Sequence, residues 1–307
     1  MARDMDMIRL GAEMSEYVFP GAQLPAPNER VITRGGGQTF KPYFYAAKNG
    51  NDLVISVRGA AEPGDFMIVL DFTRVDFAGG KAHKGVLESA RWIIEQCRKY
   101  IDECTGRIIC CGHSLGGATS AMITAVLVLE EHKQNVFAVS MAPFPILTQD
   151  LCQQLENNIS SFAFRNDIVP RLSSKNIGIL VRSFVGPPGP QQQQQAMFLQ
   201  GIVSQLILGI LQYTPMIAPG VAQQVQVQIP GITQKLLDMA NRTEENEFYL
   251  PGKAFYLGYD EQQCPLVRPF TEADSNSNFN ILALMSSMSD HSGEFYTEIL
   301  YSIDELE

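Results

Sequence analysis

The stretch that most constrains this chain runs from Arg107 to Ala121. Arg107-Ile108-Ile109-Cys110-Cys111 is a short apolar run without alternation, the pattern of a parallel strand buried on both faces. It leads directly into Gly112-His113-Ser114-Leu115-Gly116, and Gly117-Ala118-Thr119-Ser120-Ala121 then opens a helix expected to reach about Leu129. A serine with glycines two residues before and after it fits a tight strand-to-helix turn. The turn strains the serine and pushes its hydroxyl clear of the sheet, while the glycines leave room for the neighbouring backbone. The pentapeptide alone is common. As a mere helix cap, however, Ser114 would need neither the paired glycines nor the entering strand. The helix N-terminus also places positive partial charge beside Ser114, where an oxyanion would develop.

Around this turn the pattern alternates. Pro42 to Ala46 and Leu53 to Val57 are strand-like and are separated by the turn Lys48-Asn49-Gly50-Asn51. Phe66 to Phe72 is another short apolar stretch, and Lys84 to Ile101 has helical spacing, with Val86, Ala90, Ile93, Ile94, Cys97 and Ile101 on one face. Val136 to Met141 and Ser161 to Phe164 are further short strands. Alternation of this kind predicts an α/β fold, with a mostly parallel central sheet covered by helices on both faces, and residues 1–307 forming one domain. Residues 1–39 read as a mixed lead-in with loop signals at Pro20, Pro25, Pro27 and Gly35 to Gly37.

An unusual segment interrupts the pattern. Ser183 to Gln234 spans 52 residues without an Asp, Glu, Lys, Arg or His. It opens on Gly186-Pro187-Pro188-Gly189-Pro190 and the tract Gln191 to Gln195, which is linker material. Its apolar part, Ile202 to Tyr213, is broken by Gln and Ser, ended by Pro215, and short of the roughly 20 apolar residues a membrane span needs. We take residues 183–247 as an insertion within the domain.

The formal net charge of −10 excludes a nucleic-acid partner, because phosphate binding needs a basic surface. It also argues against electrostatic docking on anionic lipid, so any membrane contact must be mainly hydrophobic. The six cysteines show no metal-ligand spacing and no small disulfide scaffold, which points to a reducing compartment. The N-terminus mixes charges and lacks the apolar core of a signal peptide. A cytoplasmic protein, peripherally bound to membrane at most, is the expectation.

A serine hydroxyl needs a general base. Where a G-x-S-x-G turn caps a parallel sheet, in the α/β-hydrolase arrangement, the chain order is Ser, then Asp or Glu, then His. Of His83, His113, His132 and His291, only His291 lies downstream of every plausible acid. The acid is open among Asp150, Asp167, Asp238, Asp260, Asp274 and Asp290. Asp167 is favoured because it follows a strand, where such folds gather their functional loops. Asp290 adjoins His291, and neighbouring side chains diverge. An oxyanion hole needs two N–H donors. Leu115 supplies one, and the loop Arg58-Gly59-Ala60 after an earlier strand is placed for the other.

Taken together, Val54 to Ala60, Ala82-His83-Lys84-Gly85, Gly112 to Gly117 and Asn166-Asp167-Ile168-Val169-Pro170 resemble the class 3 lipases in order and spacing. Phe248 to Lys253 and Asp290-His291 through Tyr296 look like the diacylglycerol lipase branch. The resemblance implies a lipase for carboxylic esters of mono-, di- or triacylglycerols, working through an acyl-enzyme without metal or organic cofactor. It implies Ser114, Asp167 and His291 as the catalytic triad and Ala60 with Leu115 as the oxyanion hole. Gly112, His113 and Gly116 would complete the elbow, and His83 would have a structural role. Ala60 departs from the Thr or Ser usual in that family, which keeps the N–H and loses a hydroxyl. The insertion at 183–247 would be a lid, touching membrane or lipid droplet through residues 196–222. Phospholipase A-type or general carboxylesterase specificity is the alternative on the same machinery. A weakly active lipid-binding or membrane-associated scaffold is the alternative of another class.

Overall fold

The computed structural model describes the chain except for residues 1–3, 19–28, 62–64, 186–193, 205–220, 241–247 and 277–288 and the shorter gaps at 39, 66–67, 70, 72, 195–196, 202–203 and 307. Its centre is an eight-stranded sheet. In chain order the strands are β1 (Glu29–Gly35), β2 (Phe44–Asn49), β3 (Asp52–Val57), β4 (Arg74–Phe77), β5 (Gly80–His83), β6 (Ile108–His113), β7 (Val136–Met141), β8 (Ile159–Phe164), β9 (Lys253–Tyr259) and β10 (Pro265–Pro269). The large sheet has the order β1-β2-β3-β6-β7-β8-β9-β10, while β4 and β5 form a separate hairpin. Strands β3, β6, β7, β8 and β9 run parallel; β1, β2 and β10 add antiparallel edges. The Asn49-Gly50 turn between β2 and β3 is a hairpin, with Gly50 at φ +59°. The α/β reading, mostly parallel with helices on both faces, is what the chain adopts.

The parallel strands bury both faces, so adjacent residues serve different cores. Ile55, Cys110 and Ala138 face the helices Lys84–Glu103 and Leu115–Ala125. Val54, Ile109, Cys111 and Val139 face the helices Met5–Glu16 and Gly293–Tyr301. This explains why Ile108 to Cys111 shows no alternation in sequence. Cys110 and Cys111 are fully buried thiols on opposite sides of the sheet.

Two expectations are corrected. Residues 1–39 are not merely a lead-in: Met5–Glu16 is a helix capped by Asp4, which accepts the Met7 N–H at 3.1 Å, and Glu29–Gly35 is the edge strand β1. Charges scattered through the helix disguise its buried face of Met7, Ile8, Gly11, Ala12 and Met14. Gly11 sits there because a side chain would meet Val139 at 2.7 Å. The helix expected to start near Gly117 begins at Leu115, directly after the serine, and continues past Ala125 as a π-helical turn, Val126–Glu130. Strands β9 and β10 were not anticipated.

Within 183–247 the described residues include the end of the helix Ser174–Val185, a few helical residues between 194 and 204, and the helix Val221–Ala240, which packs on Ser174–Val185. Lys235 of that helix pairs with Asp71 at 3.4 Å. The Gln/Pro tract and most of Ile202 to Tyr213 lie outside the described residues. Among the described residues no helix is long and apolar enough to cross a membrane.

His83 has the structural place foreseen for it. It is buried, its Nδ1 accepts the Val86 N–H at 3.4 Å as cap of the helix Lys84–Glu103, and its ring lies 5.5 Å from that of Phe144. Burial drives its pKa down to about 4. The unfolded chain therefore takes up a proton below about pH 6.5 that the native state takes up only near pH 4. Stability is fully present above the unfolded value and falls as the pH drops through this window, by roughly 3 kcal/mol at pH 4. Urea unfolding at pH 7 and 4.5 measures this. His83→Asn, which keeps a capping oxygen, flattens the pH slope; an unchanged slope would assign the acid sensitivity elsewhere.

Candidate active site

The end of β6 turns sharply at Ser114, whose φ of +59° and ψ of −124° place it outside the regions open to ordinary residues. The flanking glycines permit this. A Cβ on Gly112 would stand 2.6 Å from both the Val57 and Gly116 carbonyl oxygens, and one on Gly116 would overlap the Val57 oxygen. Gly117 is equally confined, 2.6 Å from the Met141 oxygen. Hydroxyls bind this turn to the sheet: Ser120 donates to the Cys111 carbonyl at 2.6 Å and Ser140 of β7 to the Gly117 carbonyl at 2.7 Å. The Ser114 N–H donates to Met141 O at 2.9 Å. Strands β7 and β8 also end on left-handed residues, Ala142 and Arg165, so three adjacent strands leave the sheet abruptly at one edge.

At that edge the three sequence candidates meet. His291 Nε2 lies 3.0 Å from Ser114 Oγ, and His291 Nδ1 lies 2.9 and 3.0 Å from the two carboxylate oxygens of Asp167. With Nδ1 protonated toward Asp167, Nε2 is the acceptor facing the serine hydroxyl. Of the other acids weighed, Asp274 is held well away from this role. Arg268 and Thr271 bind its carboxylate, which keeps its pKa at about 2.

Asp167 is fully buried, and the fold supplies its partners. Beyond His291 it accepts the Val169 N–H at 2.9 Å and the Tyr296 hydroxyl at 2.6 Å. Tyr296 in turn accepts the Phe164 N–H at 2.9 Å, tying the acid to the end of β8. Burial, reinforced by the Asp167 charge, pushes the Tyr296 phenol well above its usual range, so it remains a donor. Sequence reasoning missed this function. In the helix Gly293–Tyr301, Tyr296 shares a buried face with Ile299 and Leu300 and reads as core.

Two further residues shape the acid turn. Asp290, rejected as the relay acid, accepts the Asn166 N–H at 3.1 Å and so fastens the His291 loop to Asp167's neighbour. Arg171, almost fully buried, donates to the main-chain oxygens of Asp167, Arg165 (2.7 Å) and Asp274 (2.8 Å). It joins the acid turn to the segment that precedes His291.

His113 packs on the His291 imidazole, with ring centroids 4.5 Å apart, and on Tyr296 at 5.6 Å. Burial, with the nearby His291, holds its pKa well below the ordinary value, so its ring stays neutral. His113, Asp167 and His291 are also the cluster of metal-ligating side chains found among the described residues, with ligand atoms within 4.8 Å of one another. Two of the three are already engaged in the relay.

Leu115, the first helical residue, has an amide without an intrahelical acceptor. Ala60 lies in the loop after β3, partly buried against the main core. The loop approaches the elbow at Arg58, whose carbonyl carbon would stand 2.9 Å from a Cβ on Gly116.

Tyr296→Phe removes a donor to a buried carboxylate while leaving the ring. A charged hydrogen bond of this kind is worth about 1.5–3 kcal/mol. The variant is expected to lose that much stability and, through a less firmly held Asp167, about tenfold in kcat. Urea titration and steady-state kinetics on one soluble ester check both; an unchanged kcat would leave Tyr296 a purely structural residue.

Comparisons with known proteins bear on the family and the fold. Residues 54–177 match the family model of lipase (class 3). No curated protein matches the chain in a sequence search. Among solved structures, the native Rhizomucor miehei lipase propeptide complex is similar over 95% of this chain and 81% of its own, at 15% identity and a TM-score of 0.52. A triacylglycerol lipase from Penicillium expansum is similar over 89% of this chain and 87% of its own, at 13% identity and a TM-score of 0.52. Such identities carry the fold alone. The stretch from β3 through the Ser114 turn to the Asp167 turn thus matches the class 3 lipase family model, and the chain has the α/β-hydrolase fold seen in fungal lipases.

Proposed function

We infer that the protein is a serine lipase cleaving carboxylic esters of acylglycerols through an acyl-enzyme. The observation that carries this reading is the unbroken line from Asp167 through His291 to Ser114 on a strained elbow. Ser114 Oγ attacks the ester carbonyl while His291 Nε2 takes its proton. The tetrahedral oxyanion is held by the N–H groups of Leu115 and Ala60, beside the positive end of the helix Leu115–Ala125. His291, now charged and stabilised by Asp167, returns the proton to the leaving alcohol, and water repeats the cycle on the acyl-enzyme. The leaving alcohol thus carries away Ser114's proton, and the water that releases the fatty acid gives Ser114 a proton back through His291.

The match over residues 54–177 supports lipid esters as the substrate class. Exposed Met197 and Phe198, in the uncharged stretch Ser183 to Gln234, support contact with a lipid surface through residues 196–222. Diacylglycerol is our choice among acylglycerols, on the motifs around Phe248 to Lys253 and Asp290 to Tyr296. Labelling by a fluorophosphonate, absent in Ser114→Ala, tests the mechanism. Hydrolysis of mono-, di- and triacylglycerol against phosphatidylcholine and p-nitrophenyl butyrate tests the specificity. Turnover of phosphatidylcholine above all others would favour the phospholipase alternative, and no labelling of folded wild type would favour a lipid-binding scaffold.

A further inference from the structure

Asp65 is fully buried beside the elbow and has no part in the relay described above. Its Oδ2 accepts the Ala61 N–H at 3.0 Å and lies 3.4 Å from Arg58 Nη2. Arg58 is itself buried. Its main-chain N–H donates to Tyr43 O at 2.9 Å, and its guanidinium stands 5.6 Å from the centre of the Tyr43 ring. These contacts hold Arg58 and Ala61, the two residues that bracket Gly59-Ala60. At Arg58 this loop backs onto the elbow: a Cβ on Gly116 would stand 2.9 Å from the Arg58 carbonyl carbon.

A buried carboxylate is costly to desolvate, and an ion pair alone is weak grounds for keeping one. Here the carboxylate does something a hydrophobic residue could not. Ala60 has no polar side chain, and Gly59 gives the loop conformational freedom, so the direction of the Ala60 N–H must be set by its neighbours. The Asp65–Ala61 bond fixes the peptide plane after Ala60. The Arg58–Tyr43 bond fixes the plane before Arg58. Asp65 reaches both sides, through one oxygen. An oxyanion donor is useful only when aimed at where the charge develops.

The structure assigns Asp65 as the positioning residue of the oxyanion loop, aiming the Ala60 N–H at the carbonyl oxygen of the bound ester through Ala61 and Arg58. This assignment rests on the reading of Ser114 and Ala60 given above. It is not a catalytic residue, since it touches only the loop.

The test compares Asp65→Asn with wild type in the full chain on p-nitrophenyl butyrate, and measures inhibition by an alkyl boronic acid. The boronate forms a tetrahedral anionic adduct on Ser114 and so reports the oxyanion donors directly. Asp65→Asn is expected to lower kcat about 10- to 100-fold, below the cost of losing a donor outright, with KM within about twofold. The boronate inhibition constant should rise by the same factor as kcat falls. Val136→Ala, at the far end of β7 from the elbow and paired with Ile108, serves as a control for stability alone. Matched for loss of thermal stability, it should leave kcat and boronate affinity unchanged.

If Asp65→Asn does not fold, Asp65→Glu keeps the charge opposite Arg58 and displaces the acceptor, and the same kcat and boronate losses are expected. An unchanged kcat in whichever variant folds, a loss confined to KM, or an equal loss in Val136→Ala would overturn the assignment while leaving the triad intact. Failure of wild type to react with fluorophosphonate would overturn the functional reading, and this assignment with it.

Discussion

Ser114→Ala is expected to lower kcat for ester hydrolysis by about 10⁶-fold, with KM and fold nearly unchanged. The nucleophile is the one atom for which the site has no substitute. His291 Nε2 stands 3.0 Å from it, and with the hydroxyl gone the imidazole can only activate water from a geometry not built for water. Because serine and histidine act as a unit, His291→Ala should cost about as much, and the double variant should be little worse than either. The proposed oxyanion donors on Leu115 and Ala60 would remain, so a residue of about 10³–10⁴ over the uncatalysed rate should survive in all three. A loss below about 100-fold in Ser114→Ala would mean another nucleophile. The fold should hold, or gain, because an alanine methyl fills the elbow with no polar group left unpaired, although alanine keeps the strain at φ +59°.

Asp167→Asn should cost about 10⁴-fold in kcat. The carboxylate accepts from His291 Nδ1, Val169 N–H and the Tyr296 hydroxyl, and every one of these contacts asks for an acceptor. An amide turned to keep two acceptor contacts on its oxygen presents N–H₂ to the third. Facing His291, it would favour the tautomer with the proton on Nε2, which then donates toward Ser114 instead of accepting. The imidazolium formed during attack would also lose its counter-charge. A stability loss of about 1–3 kcal/mol is expected besides, from one poorly satisfied buried group. Kinetics on a soluble ester with urea titration separate the two. A kcat loss no larger than that of Tyr296→Phe would show that the acid only positions the ring.

Much of this arrangement was legible in the sequence, for reasons that differ from residue to residue. The elbow is a local steric problem. Gly112, Gly116 and Gly117 each face a carbonyl oxygen that a Cβ would meet, and the requirement is written within six residues of Ser114. His291 was found by counting, since only four histidines exist and chain order excluded three. Asp167 was favoured because acids that follow parallel strands cluster at one edge of the sheet, but local pattern left the choice among the acids open. The helix Met5–Glu16 was hidden by its charges, and β1 by the turn residues around it. Strands β9 and β10 lie beyond the insertion, where local pattern no longer signals which sheet edge a strand will join.

The residues around the triad show where reading the chain stops. Tyr296 reads as an apolar helix face, Asp290 as a neighbour of the histidine, and Asp65 as one more acidic residue near an apolar stretch. Their meaning depends on partners far along the chain. Tyr296 meets Asp167 across 129 residues, Asp290 meets Asn166 across 124, and Ser114 meets His291 across 177. The amino-acid sequence by itself singled out Ser114 as the candidate nucleophile, its tight turn and the parallel α/β class, because backbone sterics and burial periodicity act over a few residues. The tertiary structure alone decided which acid faces His291, what holds that acid, and which buried carboxylate steadies the loop at Ala60. Such assignments follow from hydrogen bonds between distant segments, whose geometry exists only once the strands have aligned their carboxyl ends.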